Sequence, residues 1–104
     1  MGYVSDLAQR TVDGVFAKYG RPATYTEPGG VPVDCTVIVD LRGDDARPAD
    51  HRPIKGGRLF EIRKVEIAAP VQAGLIAFDG VTVTVTNRPW TDDEEGLVWK
   101  MWAL

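Results

Sequence analysis

The chain is poor in the residues that usually carry chemistry. It has one cysteine, Cys35, and one histidine, His51. A lone cysteine cannot close an internal disulfide, so the expectation is a fold without covalent staples, in a reducing compartment. Cys35 stands among alternating valines, where a thiol is far more often buried and inert than nucleophilic. His51 has no second imidazole or thiol near it, so neither a cysteine–histidine pair nor a transition-metal ligand set is offered. Asp44, Asp45 and Asp50 lack the regular oxygen spacing of a calcium loop. No glycine pattern follows a strand and opens a helix, which removes the phosphate cradle. The expectation is therefore no catalytic residue, no cofactor, no metal, and a protein that is not an enzyme. An excess of basic residues is also missing. Lysine and arginine number 12 against 15 aspartates and glutamates, for a net charge of −3, which argues against a free-standing nucleic-acid binder. No apolar run approaches the ~20 residues of a membrane span. The first ten residues lack the basic start and apolar centre of a secretory signal.

What is present is ordinary for a soluble globular domain: 104 residues, 44% hydrophobic and 26% charged. That length points to a single domain spanning 1–104. Ser5 is a suitable N-cap, with Asp6 behind it where negative charge suits a helix N-terminus. Leu7, Ala8, Thr11, Val12, Val15, Phe16 and Tyr19 recur at spacings of three and four, which predicts an amphipathic helix over about 5–19. Gly20 and Pro22 stop it. Gly14 interrupts the pattern at a cost of about 1 kcal/mol against alanine; it is either a close-packing point or a tolerated flaw.

From about residue 23 the period changes to two. A short segment over 23–26 is followed by the turn Glu27–Pro28–Gly29–Gly30. In the next strand Val33, Cys35, Val37 and Val39 share the core face. Residues 58–69 return to strand, with the apolar positions changing face near Lys64, where a bulge or bend is expected. Asp79 and Gly80 form a two-residue hairpin turn between apolar runs. Val81, Val83 and Val85 then alternate with Thr82, Thr84 and Thr86. The last strand, 97–104, places Trp99 and Trp102 on opposite faces. One helix followed by about six short antiparallel strands predicts a mainly β fold: a small antiparallel β-barrel or sandwich over 23–104.

Two stretches stand apart. Residues 41–57 have no periodicity, two prolines, three glycines and many charges. Closing such a loop costs roughly 2–3 kcal/mol of entropy. Ordering it costs about 1 kcal/mol or more per residue. The expectation is a loop that is mobile in the lone chain and orders against a partner. Arg42, Arg47, Arg52, Lys55 and Arg58 make this region basic, whereas Asp92, Asp93, Glu94 and Glu95 concentrate acid in the last turn. Either these are two solvated loops, or the basic loop of one subunit docks on the acidic turn of the next, a contact that forms rings when the rotation closes. An acidic turn lining a channel would also repel DNA phosphates and let them pass. Of the tryptophans, whichever of Trp99 and Trp102 lies outside the core is either covered by the helix or is an interface anchor; Trp102 is the candidate taken here.

The order of these elements resembles the lambda-type head–tail joining, or head–tail attachment, proteins of tailed phages and their prophage relatives. The resemblance is carried by VFAKYGRPATYT closing the helix, by PGGVPVDCTVIVD, by the long polar loop, by VEIAAPVQAG, by FDGVTVTV and by the final EEGLVWKMWAL. It implies a helix plus a small antiparallel barrel, a loop that orders on assembly, and a non-enzymatic connector. Such a connector would be a homo-oligomeric ring at the capsid neck, a monomer when isolated. A portal or adaptor protein would contact its head side and a tail tube or tail terminator its tail side, with DNA passing through unread. It would sit in the virion, and in host cytoplasm during assembly. Two alternatives stay open: another neck or tail-completion protein, and a small β-barrel binding module for a peptide or oligonucleotide.

Overall fold

The computed structural model describes residues 3–40 and 57–104, with side chains from residue 6 onward. Its elements are α1 (Tyr3–Tyr19), β1 (Arg21–Thr26), β2 (Val33–Asp40), β3 (Arg58–Arg63), β4 (Leu75–Phe78), β5 (Val81–Thr84) and β6 (Val98–Ala103). The mainly β expectation holds: six antiparallel strands follow one N-terminal helix. The hairpin turns behave as their residues require. Gly30 N donates to Glu27 O at 2.8 Å across the Pro28–Gly29 turn. Asp79 and Gly80 both have positive φ, 49° and 78°, the geometry a right-twisted two-residue hairpin needs.

All six strands lie in one sheet in the order β5-β4-β1-β2-β3-β6. The sheet curls into a half-barrel whose two edges are joined by the chain itself. At Thr84–Thr86 the chain is paired on both sides. Val85 N donates to Gly74 O at 2.8 Å and Val85 O accepts from Ala73 N at 2.9 Å, just before β4, while Thr84 and Leu104 exchange two backbone hydrogen bonds of 3.0 Å and Thr86 N donates to Trp102 O at 2.9 Å. Trp90 and Lys100 exchange two more, 2.9 and 2.7 Å. The pairing of Thr84–Trp90 with β6 is thus the seam of the barrel. An edge strand carries unpaired backbone donors and acceptors, and joining the edges removes part of that liability.

Alternation decides the inside. Ala23, Tyr25, Cys35, Val37, Phe60, Ile62, Ile76, Phe78, Val85, Met101 and Ala103 form the core, with Val39, Val83 and Trp99 packed against it. These are the inward positions of every strand. Phe60 and Phe78 meet edge to face, with ring centroids 5.3 Å apart. Val33, placed by periodicity on the core face, lies at the barrel mouth and is exposed.

Three expectations are corrected. The helix begins at Tyr3, so Ser5 lies inside its first turn and is not the N-cap. The strand over 58–69 ends at Arg63. Glu66 N and Ile67 N both donate to Arg63 O, at 3.1 and 3.2 Å, so of the bulge or bend expected near Lys64 it is the bend that occurs, and it ends the strand. Ile67 then drops into the core. Finally, only one edge of the apolar stripe of α1 faces the sheet. Among the described side chains of α1 only Phe16 is buried, at 3% exposure, while Leu7, Val15 and Tyr19 stand 41%, 44% and 60% exposed. The docked side of the helix is Phe16 with the half-buried Ala8, Gln9, Val12 and Asp13, so one edge of the stripe is covered and the other is not.

A methyl group built on Gly14 would meet nothing within 4 Å outside its own helix turn. Close packing within the chain is therefore not its reason. Gly14→Ala should stabilise the isolated protein by about 1 kcal/mol, raising Tm by roughly 4–8 °C for a domain of this size in thermal unfolding.

Candidate interaction surface

The polar fastening of the helix to the barrel centres on one side chain. Arg63, at the end of β3, donates from Nη1 to Asp13 Oδ1 at 2.8 Å and pairs through Nη2 with Glu66 Oε1 at 3.1 Å. Its guanidinium lies over the Phe16 ring, 5.2 Å from the centroid. Glu66 Oε1 also accepts from Thr36 N at 3.0 Å, so helix, β2, β3 and the turn after β3 meet at one node. Gln9 Nε2 donates to Asp13 Oδ1 at 2.9 Å. Gln9 first and Arg63 second hold the Asp13 carboxyl below the ordinary aspartate range. Arg63 is largely covered while Asp13 is half exposed, so solvent screens the pair and its contribution is modest.

The register sorts the turns into two ends of the barrel. Asp40 pairs with Leu59 and Arg58 pairs with Ala103, which puts both anchors of the 41–56 segment at one end. At the other end Lys64 N donates to Leu97 O at 2.9 Å, beside the acidic turn. The six residues of β3 separate them by about 17 Å. Arg42, Arg47, Arg52 and Lys55, and the mobility expected of their loop, lie outside the described residues. Arg58 is exposed at the start of β3.

The four acidic residues do unequal work. Asp92 pairs with Lys100 at 2.8 Å. Asp93 accepts from Leu97 N at 2.7 Å and Val98 N at 3.4 Å, closing the turn that starts β6. Glu94 and Glu95 are exposed and free of such structural duty in the turn's hydrogen bonding. Trp102 needs correction as an interface anchor: it is 0% exposed, packed with Leu59 and Trp90 on the outer face of the sheet. Trp90 covers it because the Asn87–Trp90 segment is pinned along β6, with Trp102 N donating to Asn87 Oδ1 at 2.9 Å. Trp99 is the less buried of the pair; its Nε1 donates to Ala68 O at 3.2 Å, and Lys64 Nζ lies 5.6 Å from its ring centroid.

Periodicity did not reveal the apolar groove at the acidic end. Tyr25, Val31, Val33, Ile67, Ala68 and Ala69 line a cavity of ≈ 520 Å³, with Glu27 and Glu66 at its polar edge. Val31 is 74% exposed. Tyr25 forms the floor; its hydroxyl accepts from Val71 N at 2.8 Å, and burial pushes its pKa up. The signal was available in Val31-Pro32-Val33, apolar residues directly after a turn, where solvent rather than core would be expected.

Cys35 is buried, and desolvation pushes its thiol pKa up to about 11. Among the described residues no group of three or more histidine, cysteine, aspartate or glutamate side chains is placed to hold a metal; Asp44, Asp45, Asp50 and His51 lie outside them. Among the described residues the arrangement offers exposed apolar and charged surface. A family model described as Phage Head-Tail Attachment protein matches residues 4–102. No curated protein matches the chain.

Two outcomes follow. Asp13 has a folded pKa below its unfolded one, so its contribution is present above the ordinary aspartate range and lost as pH falls through the depressed value. Asp13→Asn should lower stability at pH 7 by less than about 1 kcal/mol and flatten the acid side of the stability curve, read by urea unfolding across pH. Cys35 should resist alkylation at neutral pH in the folded protein and label fully once urea unfolds it.

Proposed function

Because the chain belongs to the phage head–tail attachment family, whose members are structural proteins of the virion acting with head and tail components, we propose that it is a head–tail joining connector. It assembles as a ring at the capsid neck, closes the filled head and presents the surface on which the tail docks. It meets a portal or adaptor protein on the head side and a tail tube or terminator on the tail side. It does no covalent chemistry, and it is made and recruited in the host cytoplasm.

The observation that carries this is the family match across nearly the whole chain, 4–102, so that helix, barrel and turns all belong to the matched unit. The barrel's polarity supports it. The anchors of the basic segment and the exposed carboxylates Glu94 and Glu95 sit at opposite ends, so one copy can offer acid where the next offers base. Carboxylates facing a central channel would repel the DNA backbone and keep passage free of sticking.

Deleting the gene from the phage or prophage that carries it should yield DNA-filled heads and complete tails that fail to join, seen by electron microscopy. Normal tailed particles would refute the proposal and favour a binding module. Tails of abnormal length would place the protein in tail completion instead.

A further inference from the structure

We propose that the outward stripe of α1 seats in the barrel-end groove of a second copy of this chain. This contact rests on the ring assembly proposed above and deepens it by naming its two surfaces. Each protomer carries one stripe and one groove, on different elements. A contact that uses one of each leaves one of each free on the pair, so it propagates and closes into a ring when the rotation allows.

Three observations select this occupant. Leu7, Thr11 and Val15 lie at successive spacings of four with Gly14 beside them, and Leu7, Val15 and Tyr19 are exposed. An amphipathic helix with its apolar face turned outward is the form that helix-in-groove recognition uses. Gly14, two turns from Leu7 at the edge of that face, weakens the helix without any close neighbour among the described residues outside its own helix. Absence of a side chain there lets another backbone or a bulky side chain approach the helix surface closely. The groove offers a complementary floor of Tyr25, Val31, Val33, Ile67 and Ala69.

Charge agrees with shape. Arg10 and Lys18 are exposed beside the stripe. Glu27 stands at the groove, and Glu94 and Glu95 are exposed at the same end of the barrel. A helix with basic flanks entering an acidic-rimmed apolar groove is steered and held in register by those pairs. The same signs make helix-to-helix and groove-to-groove contacts between copies repulsive, which favours the head-to-tail arrangement.

The test uses two full-length single variants, Val15→Cys on the stripe and Val31→Cys in the groove, with Cys35 buried and silent. Both sites are exposed, so folding is checked simply by circular dichroism and melting. The variants are treated with a short bismaleimide, separately and mixed, at high protein concentration. The proposal expects a covalent dimer in the mixture and almost none from either variant alone. Equal linking in all three samples, linking of one variant to itself, or none at all overturns it; the last would leave the groove to a different protein. Gly14→Ala gives a second readout. It should raise Tm yet cut the mixed-pair linking roughly tenfold, as an extra methyl in a close-packed contact does. Unchanged linking by the Gly14→Ala form would overturn the seating of the stripe. Failure here alongside unjoined heads and tails in the deletion phage removes only this contact. Linking with normal particles in that phage would remove the joining function instead.

Discussion

The structure depends on the seam where one segment, Thr84–Thr86, is hydrogen-bonded on both sides. A short sheet of six strands, two of them only four residues long, leaves two unpaired edges unless something joins them. Here β5 pairs with β4, Val85 carries that pairing on to Gly74 and Ala73, and Thr84 and Thr86 bond the end of β6 from the other side. Val85 and Ala103, opposite each other at that crossing, are both buried. The seam therefore closes the core as well as the hydrogen-bond ladder. It also tucks the last residues of the chain into the sheet.

With the sheet closed on itself, the helix is not needed as a lid. It is instead fastened to the outer face by Phe16 and a charged node centred on Arg63, and the other edge of its apolar stripe is left in solvent. Polar fastening of this kind holds a helix in one orientation at small net stability, because the partly exposed pairs are screened. The apolar surface left over is the part of the molecule that other molecules can use. Closure sorts the turns as well, gathering the apolar groove and the exposed carboxylates at one end and the anchors of the basic segment at the other. A protein that acts with both head and tail components needs two distinguishable ends, and the antiparallel register supplies them.

The strands were legible because a period of two in Val33–Val39, Phe60–Ile62 and Val81–Val85 has one physical meaning when the turns are marked by glycine, proline and aspartate. The stripe on α1 was legible too, but periodicity reports that a face is apolar and not what covers it. Its exposure became visible only with the position of Phe16 and Arg63, which depends on residues 50 apart in sequence. Trp102 was misjudged for the same reason. Alternation placed Trp99 and Trp102 on opposite faces without deciding which was outside, and nothing in Asn87–Trp90 announced that this aperiodic segment would fold over Trp102. The bend after Arg63 could not be told from a bulge because both move an apolar pattern to the other face. Four aspartates and glutamates in a row read as one acidic patch, whereas Asp93 is spent on backbone amides and Asp92 on Lys100.

The most direct measurement of the central claim is native-state hydrogen exchange at the amides of Thr84, Thr86 and Leu104. If the seam closes the barrel, these amides exchange only through global unfolding and are as protected as those of the central strands. Exchange at the rate of a frayed edge, with β1 and β2 still protected, would contradict it: the sheet would then be open, and the helix and both ends would have to be placed anew.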